Sequence, residues 1–192
     1  MSTVRLLVLG VIRGRGQAHG YAVRGELLSW RADTWTNVKP GSIYHALKQL
    51  GAEGKLRASD TESSDKGPGR TLFALTDAGE AEFLTLMDAA LVSVDMEELG
   101  AGIAFMDALP RAHVIEKLRE QRRNSVAVRE ELLAMIPDFP GRYEPPHATD
   151  LLELWSGVFD NLSAWTGGIL ARLEAGEYRM RESARGASDS GD

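Results

Sequence analysis

The chain has 192 residues, of which 43% are hydrophobic and 26% are charged, as in an ordinary soluble globular protein. It contains no cysteine, which excludes a disulfide framework and thiolate chemistry. The net charge of −6 argues by itself against a nucleic-acid partner. The first apolar run, Leu6–Ile12, is too short to cross a bilayer and lacks signal-peptide flanks, so we expect a cytoplasmic protein.

The charge is distributed unevenly along the chain. Residues 1–80 carry 11 Lys and Arg against 8 Asp and Glu, a balance of +3, whereas residues 81–192 carry 11 against 20, a balance of −9. A basic first half joined to an acidic second half indicates two functions on one chain. Chance asymmetry between two globular halves explains the same numbers equally well.

The first three predicted elements are helices. Val4–Ile12 is almost continuously apolar and predicts a buried helix, and a second helix is expected from His19 to about Arg31. The third begins at Pro40, where a first-turn proline has no N–H to satisfy, and ends at Gly54.

A hairpin and a fourth helix follow. Lys55–Ser59 and Arg70–Leu75 are short extended runs, and the residues between them are turn formers and charges, which predicts two paired strands. Thr76 is expected to cap a helix that runs through Leu91. Three helices, a two-stranded wing and a further helix are the layout of a winged helix-turn-helix, which we assign to residues 1–92.

The second half is predicted to be wholly helical, so that the fold class is mainly α. One amphipathic segment covers 96–109, a long helix covers 111–135, and a last helix covers 148–175. We assign residues 93–176 to a helical domain for dimerisation and effector binding. Residues 177–192 have too little apolar material to fold and are predicted to be disordered.

The third helix carries the strongest functional signal. Its inward side is apolar, and its outward groups can donate to guanine, pair with adenine or attract phosphate, which suits a helix in the major groove. Basic residues on the hairpin lie where they can hold the flanking backbone. The alternative is an ordinary solvated helix face. The candidate DNA-binding residues are Lys39, Gly41, Ser42, Tyr44, His45, Lys48, Gln49, Arg57, Lys66 and Arg70.

Four separated blocks within the first 90 residues resemble the PadR family of bacterial winged-helix regulators: LLVLGVI, HGY, KPGSIYHALKQLGAEGKL and GRTLFALTDAGE. The resemblance implies a homodimer formed through C-terminal helices and a pseudo-palindromic operator in double-stranded DNA. It also implies repression that a small molecule relieves in many members. Gly51 departs from the family, in which many members have an acidic residue, and it weakens the end of the third helix.

The last helix has a heptad pattern. Its apolar residues are spaced 4, 3, 4, 3, 4, which is the a/d seam of a helix that pairs along its length. We interpret this seam as the dimer interface, with an intramolecular core helix as the alternative. The seam residues are Leu151, Trp155, Val158, Leu162, Trp165 and Ile169.

Three aromatic residues of this helix suggest an effector site. Flat rings of Trp155, Phe159 and Trp165 in a helical interface can enclose a small apolar or aromatic molecule. Tryptophan sandwiches of this kind occur in the drug-sensing branch of the family that the sequence resembles. The alternative is that these residues only pack the core.

The sequence offers no basis for enzymatic activity. We find no metal-ligand spacing around the histidines and no nucleophile motif, phosphate loop or paired carboxylates, so no cofactor and no metal are expected. The sequence thus predicts a homodimeric DNA-binding repressor. The alternative is a dimeric interaction module that kept the winged fold without binding DNA, and neither the operator nor the regulated genes can be inferred.

Overall fold

The computed structural model describes residues 3–60, 71–136 and 147–181. The chain forms two compact units. The first unit contains the residues up to Ala90 together with Met96–Phe105, and the second contains Leu91–Asp95 and the residues from Met106 onward. Of the helices in these ranges, none combines the length and apolarity that crossing a membrane requires.

Eight helices and three strands make up the described residues, with one short 3₁₀ turn at Met106–Ala108. In chain order they are α1 (Thr3–Arg15), β1 (Ala18–His19), α2 (Gly20–Ser29), α3 (Ala32–Trp35), α4 (Pro40–Ala52), β2 (Leu56–Asp60), β3 (Thr71–Leu75), α5 (Asp77–Val92), α6 (Met96–Ala104), α7 (Arg111–Met135) and α8 (Ala148–Glu174). The predicted third helix is α4.

The sheet of the first unit has one strand more than the hairpin that the sequence predicts. β2 pairs antiparallel with β3, with Leu56 opposite Leu75. β1 adds to the other edge of β3, with Ala18 opposite Phe73, so that the strand order is β1-β3-β2. A strand of two residues has no alternation to detect, which is why sequence periodicity does not show it.

The core of the first unit surrounds α1. Leu6–Ile12 are all buried, so α1 is a central helix with apolar residues on every side rather than a surface helix with one apolar face. α2, α4 and α5 add their own buried residues, among them Val23, Leu50 and Phe83. The mainly helical winged-helix architecture that the sequence predicts is confirmed for this unit.

The boundary between the units differs from the predicted one at residues 92 and 93. α6 lies in the first unit, not the second, because Phe105 just beyond it seats against α1. The Phe105 ring makes edge-to-face contacts with Trp30 and Phe83, at centroid distances of 5.5 and 6.0 Å. It covers Gly10, where a Cβ would lie within 2.6 Å of three ring atoms, so the seat requires glycine.

The second unit is built on the antiparallel pair α7 and α8. Ion pairs join Arg119 to Glu174 at one end and Arg129 to Asp160 farther along, at 2.7 and 3.2 Å. Between them is a buried polar layer in which the Gln121 side chain bridges two hydroxyls. Its amide nitrogen lies 2.9 Å from Ser125 Oγ, and Thr166 Oγ1 lies 2.7 Å from its amide oxygen.

The prediction that the tail is disordered from residue 177 is wrong for residues 177–181, and 182–192 lie outside the described residues. The Arg111 guanidinium donates to the carbonyls of Leu173 and Tyr178, both at 2.6 Å. Arg181 N–H donates to the Asp107 carbonyl at 2.9 Å. These bonds use backbone groups, so the low apolar content of the segment does not reveal them.

Candidate nucleic-acid interface

The loop before α4 is fixed by a small set of hydrogen bonds. The buried Thr36 hydroxyl accepts the N–H of Val38 at 3.1 Å, and its oxygen lies 2.8 Å from the Ala32 carbonyl. The N–H of Asn37 donates to a Glu97 carboxylate oxygen at 3.1 Å. The chain therefore enters α4 from a loop whose direction is fixed.

Hydrogen bonds between the Ser42 side chain and the Lys39 backbone stabilise the first turn of α4. Pro40 is at the first helical position, as predicted. The Ser42 hydroxyl oxygen lies 3.0 Å from Lys39 N, whose N–H it accepts, and 2.7 Å from the Lys39 carbonyl. Ser42 is half-buried, and its side chain stabilises the start of the helix, whose N-terminal N–H groups are predicted from the sequence to attract phosphate.

α4 divides into the two faces that its sequence predicts. Its inward residues are almost fully buried, with exposed fractions between 0 and 4%: Ile43, Ala46, Leu47 and Leu50. Its other candidate residues are exposed: Lys39, Gly41, Tyr44, His45, Lys48 and Gln49. A polar face that projects from an apolar base is what insertion into a groove requires.

An ion-pair network holds the end of α4 in place. The Arg5 guanidinium on α1 donates to both oxygens of Glu53, which follows α4, and to Glu82 on α5. Lys55 lies 3.5 Å from the second oxygen of Glu82. The hydrogen bonds from Arg5 lower the pKa of Glu53, and they raise the pKa of Arg5 in turn. Local sequence patterns do not reveal this network because its members are far apart in the chain.

The base of the wing is joined rigidly to α5. The Thr76 hydroxyl accepts the N–H of Gly79 at 3.1 Å, which confirms its capping role, and lies 2.7 Å from the Gly54 carbonyl. Arg57 is exposed on β2. Lys66 and Arg70, the other two wing candidates, lie outside the described residues.

A pocket of about 910 Å³ lies beside the exposed face of α4 and is also lined by residues of α2 and the sheet. Tyr44 and Lys48 line it together with Tyr21, which is 73% exposed. Tyr21 falls within the helical stripe of α2 in sequence, so periodicity places it inside the core. His19 also lines this pocket, and its ring nitrogen Nδ1 lies 3.2 Å from the carbonyl oxygen of Thr71 on β3.

The last helix carries two heptad seams rather than one. The residues that α8 buries are one position later than the predicted seam in most turns: Leu152, Ser156, Ser163, Thr166, Leu170 and Leu173, with Phe159 partly exposed among them. The predicted seam lies beside them. Leu162 and Ile169 are buried within the single chain, whereas Leu151, Trp155 and Trp165 are 54, 48 and 43% exposed.

The three candidate effector residues do not form a sandwich within one chain. Trp155 and Trp165 are ten residues apart on α8, which corresponds to about 15 Å along the helix axis. Phe159 faces the buried seam more than they do. The two tryptophans of one chain therefore cannot stack on each other. A stacking partner for either of them would have to come from a second chain.

The comparisons with known proteins agree with the geometry of the first unit. Residues 8–85 match the model of the Transcriptional regulator PadR-like family. This confirms the resemblance in the first 90 residues. No curated protein matches the chain. Within the described residues, no three His, Asp or Glu side chains are grouped to hold a metal ion.

Solved structures resemble the chain at low identity. Bacillus subtilis PadR in complex with operator DNA is 20% identical, with 90% of this chain and 99% of that chain covered and a TM-score of 0.41. A PadR-like regulator from Bacillus cereus is 19% identical at the same coverage, with a TM-score of 0.38. Bacillus subtilis PadR in complex with p-coumaric acid has 20% identity, the same coverage and a TM-score of 0.36.

Proposed function

We propose that this chain, with a PadR-like segment at residues 8–85, is a homodimeric transcriptional repressor that binds double-stranded DNA through α4 and the wing. The observation that carries the proposal is the exposed polar face of α4, on which Lys48 and Gln49 are accessible above a buried apolar base. Lys can donate to guanine O6 and N7, and Gln can pair with adenine. Repression then follows from occupancy of a promoter.

The dimer part of the proposal is supported by α8. A single winged helix reads one half-site, whereas a two-fold dimer sets two reading helices about 34–36 Å apart on one face of DNA. The predicted seam leaves Leu151 and Trp165 uncovered in the single chain, and large exposed apolar side chains of this kind favour association. A pseudo-palindromic operator is the DNA that such a dimer fits.

The effector part of the proposal rests on the same seam. In a dimer, Trp155 of one chain can approach an aromatic ring of the other, and a flat apolar molecule between them would change the angle between the two DNA-reading units. Because two half-sites on one duplex are fixed in space, a shift of this kind would remove several contacts together.

The decisive experiment measures affinity for duplex DNA as a function of salt. A regulator that neutralises several phosphates loses affinity steeply, with a slope of about −0.9 per phosphate contact. We expect this steep loss on random DNA and, in addition, tight binding to fragments selected from genomic DNA. Weak binding without salt dependence would instead indicate the interaction module that does not bind DNA.

A matched pair of variants tests the role of α4. We expect Lys48→Ala to weaken binding to the selected operator by about 1–3 kcal/mol, because a base contact is lost. Arg129→Ala removes a positive charge from α7, outside the first unit, and controls for net charge. Equal affinity of Lys48→Ala and the wild-type protein would contradict the assignment of α4.

A further inference from the structure

The ring of Tyr44 on α4 packs directly against the backbone of α2 at Gly20. A Cβ atom at Gly20 would lie 2.9 Å from Cε1 and 3.3 Å from Cδ1 of that ring, and 3.0 Å from Cδ1 of Leu47. These distances are shorter than ordinary van der Waals contact between carbon atoms. Only glycine therefore lets one edge of the Tyr44 ring lie on α2.

The backbone at Gly20 is held in place by its neighbours. Gly20 is buried and begins α2 directly after β1, in which His19 pairs with Leu72 of β3. Leu47, the other side chain near the Gly20 Cβ position, is only 2% exposed and is packed in the core. Tyr44 is 48% exposed, so its ring has space to move into. A methyl group added at Gly20 would therefore displace the Tyr44 ring rather than the backbone.

The exposed part of Tyr44 lies on the same surface as Lys48. Within the ranges that the structure describes, the Tyr44 hydroxyl has no hydrogen-bond partner in the protein. Lys48 follows four residues later on α4, which places it one turn along the same face. Both side chains line the pocket between α4, α2 and the sheet. A hydroxyl and an ammonium group are thus available together beside α2.

Tyrosine hydroxyls form hydrogen bonds with the phosphate and sugar oxygens of DNA, and such contacts fix the register of a protein on the duplex. The position of the hydroxyl depends on the direction of the ring, which the packing on Gly20 fixes. We infer that Gly20 is a positioning residue for DNA recognition, because it lets the Tyr44 ring lie on α2 and directs its hydroxyl to DNA. The inference rests on the proposed function, since it adds a residue to the same interface.

A matched pair of glycine variants of the full-length protein tests the inference. Gly20→Ala should weaken binding to the selected operator by about tenfold, because the displaced ring loses its contact with DNA. Gly25→Ala should bind as the wild-type protein does, since Gly25 is exposed on the same helix and has nothing within 4 Å of its Cβ position. Fluorescence anisotropy measures the affinities, and thermal melting shows whether each variant is folded.

Two further measurements show whether Gly20 acts through Tyr44. In a Tyr44→Ala protein the ring is absent, so adding Gly20→Ala should change operator affinity by less than about twofold. In the protein without DNA, NMR of isotope-labelled tyrosine reports the ring directly. The Tyr44 signals, identified by their loss in Tyr44→Ala, should shift in Gly20→Ala and not in Gly25→Ala.

Each other outcome contradicts the inference. Wild-type affinity in a folded Gly20→Ala protein, an equal loss with and without the Tyr44 ring, or unchanged ring signals would overturn it and leave the proposed function standing. A Gly20→Ala protein that does not fold would also overturn it, because the ring would then be unable to move aside. A wild-type protein that binds no DNA would overturn the inference and the proposed function together.

Discussion

At the scale of single residues, one glycine fixes how the wing joins the helix that follows it. Gly79 is in the first turn of α5, and a Cβ there would lie 2.1 Å from the Lys55 carbonyl oxygen. That oxygen also accepts the N–H of Thr76 at 3.1 Å, so it cannot move without breaking the joint. Backbone cannot give way as the end of a flexible side chain can, and this glycine is therefore required for packing.

Gly79→Ala is expected to destabilise the protein by about 2–3 kcal/mol, since the clash displaces backbone in the core of the wing. Gly51→Ala is the matched control. Gly51 is in helix α4 with nothing within 4 Å of its Cβ position, so alanine there should stabilise by about 0.5–1 kcal/mol. Chemical denaturation of both variants measures the two effects, and equal free energies of unfolding would contradict the steric explanation.

We expect Glu53 to make the stability of the first unit dependent on pH. Hydrogen bonds from Arg5 lower its pKa below the ordinary value of 4.5. A carboxyl group whose pKa is lowered on folding stabilises the fold above its unfolded pKa, and this contribution is lost as the pH falls through the folded value. We expect Glu53→Gln to be less stable than the wild-type protein at pH 7 and to approach it below pH 4.5. Denaturation curves across this range test the expectation; a constant difference would refute it.

At the scale of elements, the pairing of α7 and α8 depends on polar as well as apolar contacts. Gln121, Ser125 and Thr166 are fully buried and satisfy one another. Apolar contacts have no directional preference, whereas a hydrogen-bonded layer is satisfied only where its partners meet. The layer therefore specifies which turn of α8 lies against which turn of α7.

Thr166→Val should destabilise the second unit by about 1–3 kcal/mol, because it leaves the buried Gln121 amide oxygen without its hydroxyl donor. Thr166→Ser keeps the hydroxyl and should retain most of that stability. Thermal unfolding monitored by circular dichroism distinguishes the two variants. If valine destabilised the protein no more than serine, the hydrogen bond to Gln121 would not account for the stability of this layer.

Long periodic helices are what the sequence predicts best. The bounds of α7 agree with the prediction at Arg111–Met135, and α4 begins at Pro40 as expected, because capping residues and a sustained apolar stripe mark such elements locally. β1, α3 and the seat of Phe105 are missed. β1 and the contacts of Phe105 depend on partners far along the chain, whereas α3 has only four residues and is too short to show a periodic pattern.

The candidate site was predictable to the same extent and for the same reason. Lys48 and Gln49 could be placed on the outer face of α4 because the alternation of polar and apolar residues fixes which side is buried. Tyr21 is placed wrongly by periodicity, since its position on α2 is compatible with burial, whereas the residue is exposed. In α8, the seam that packs within the chain includes Ser156, Ser163 and Thr166, so the apolar pattern indicates the neighbouring seam instead.

At the scale of the whole molecule, the proposed dimer predicts a change in mass after substitution of exposed seam residues. Leu151→Asp/Trp165→Asp should produce monomers, since buried carboxylates without partners oppose association. Ala164→Asp, exposed on α8 outside the seam, is the control. Light scattering measures the mass. Leu162 is unsuitable because it is already buried within one chain, and a dimer that survives the double substitution would place the interface elsewhere.

The seat of Phe105 on Gly10 also determines where the polypeptide can be divided. A fragment that ends at Val92 contains every strand and helix of the winged motif but lacks Phe105. Its Trp30 and Phe83 rings would then lose their contact with Phe105 and be exposed to water. A fragment that extends to Phe105 includes the ring that covers these side chains. A truncated protein that is meant to contain the complete first unit, for crystallisation or spectroscopy, should therefore end after Phe105.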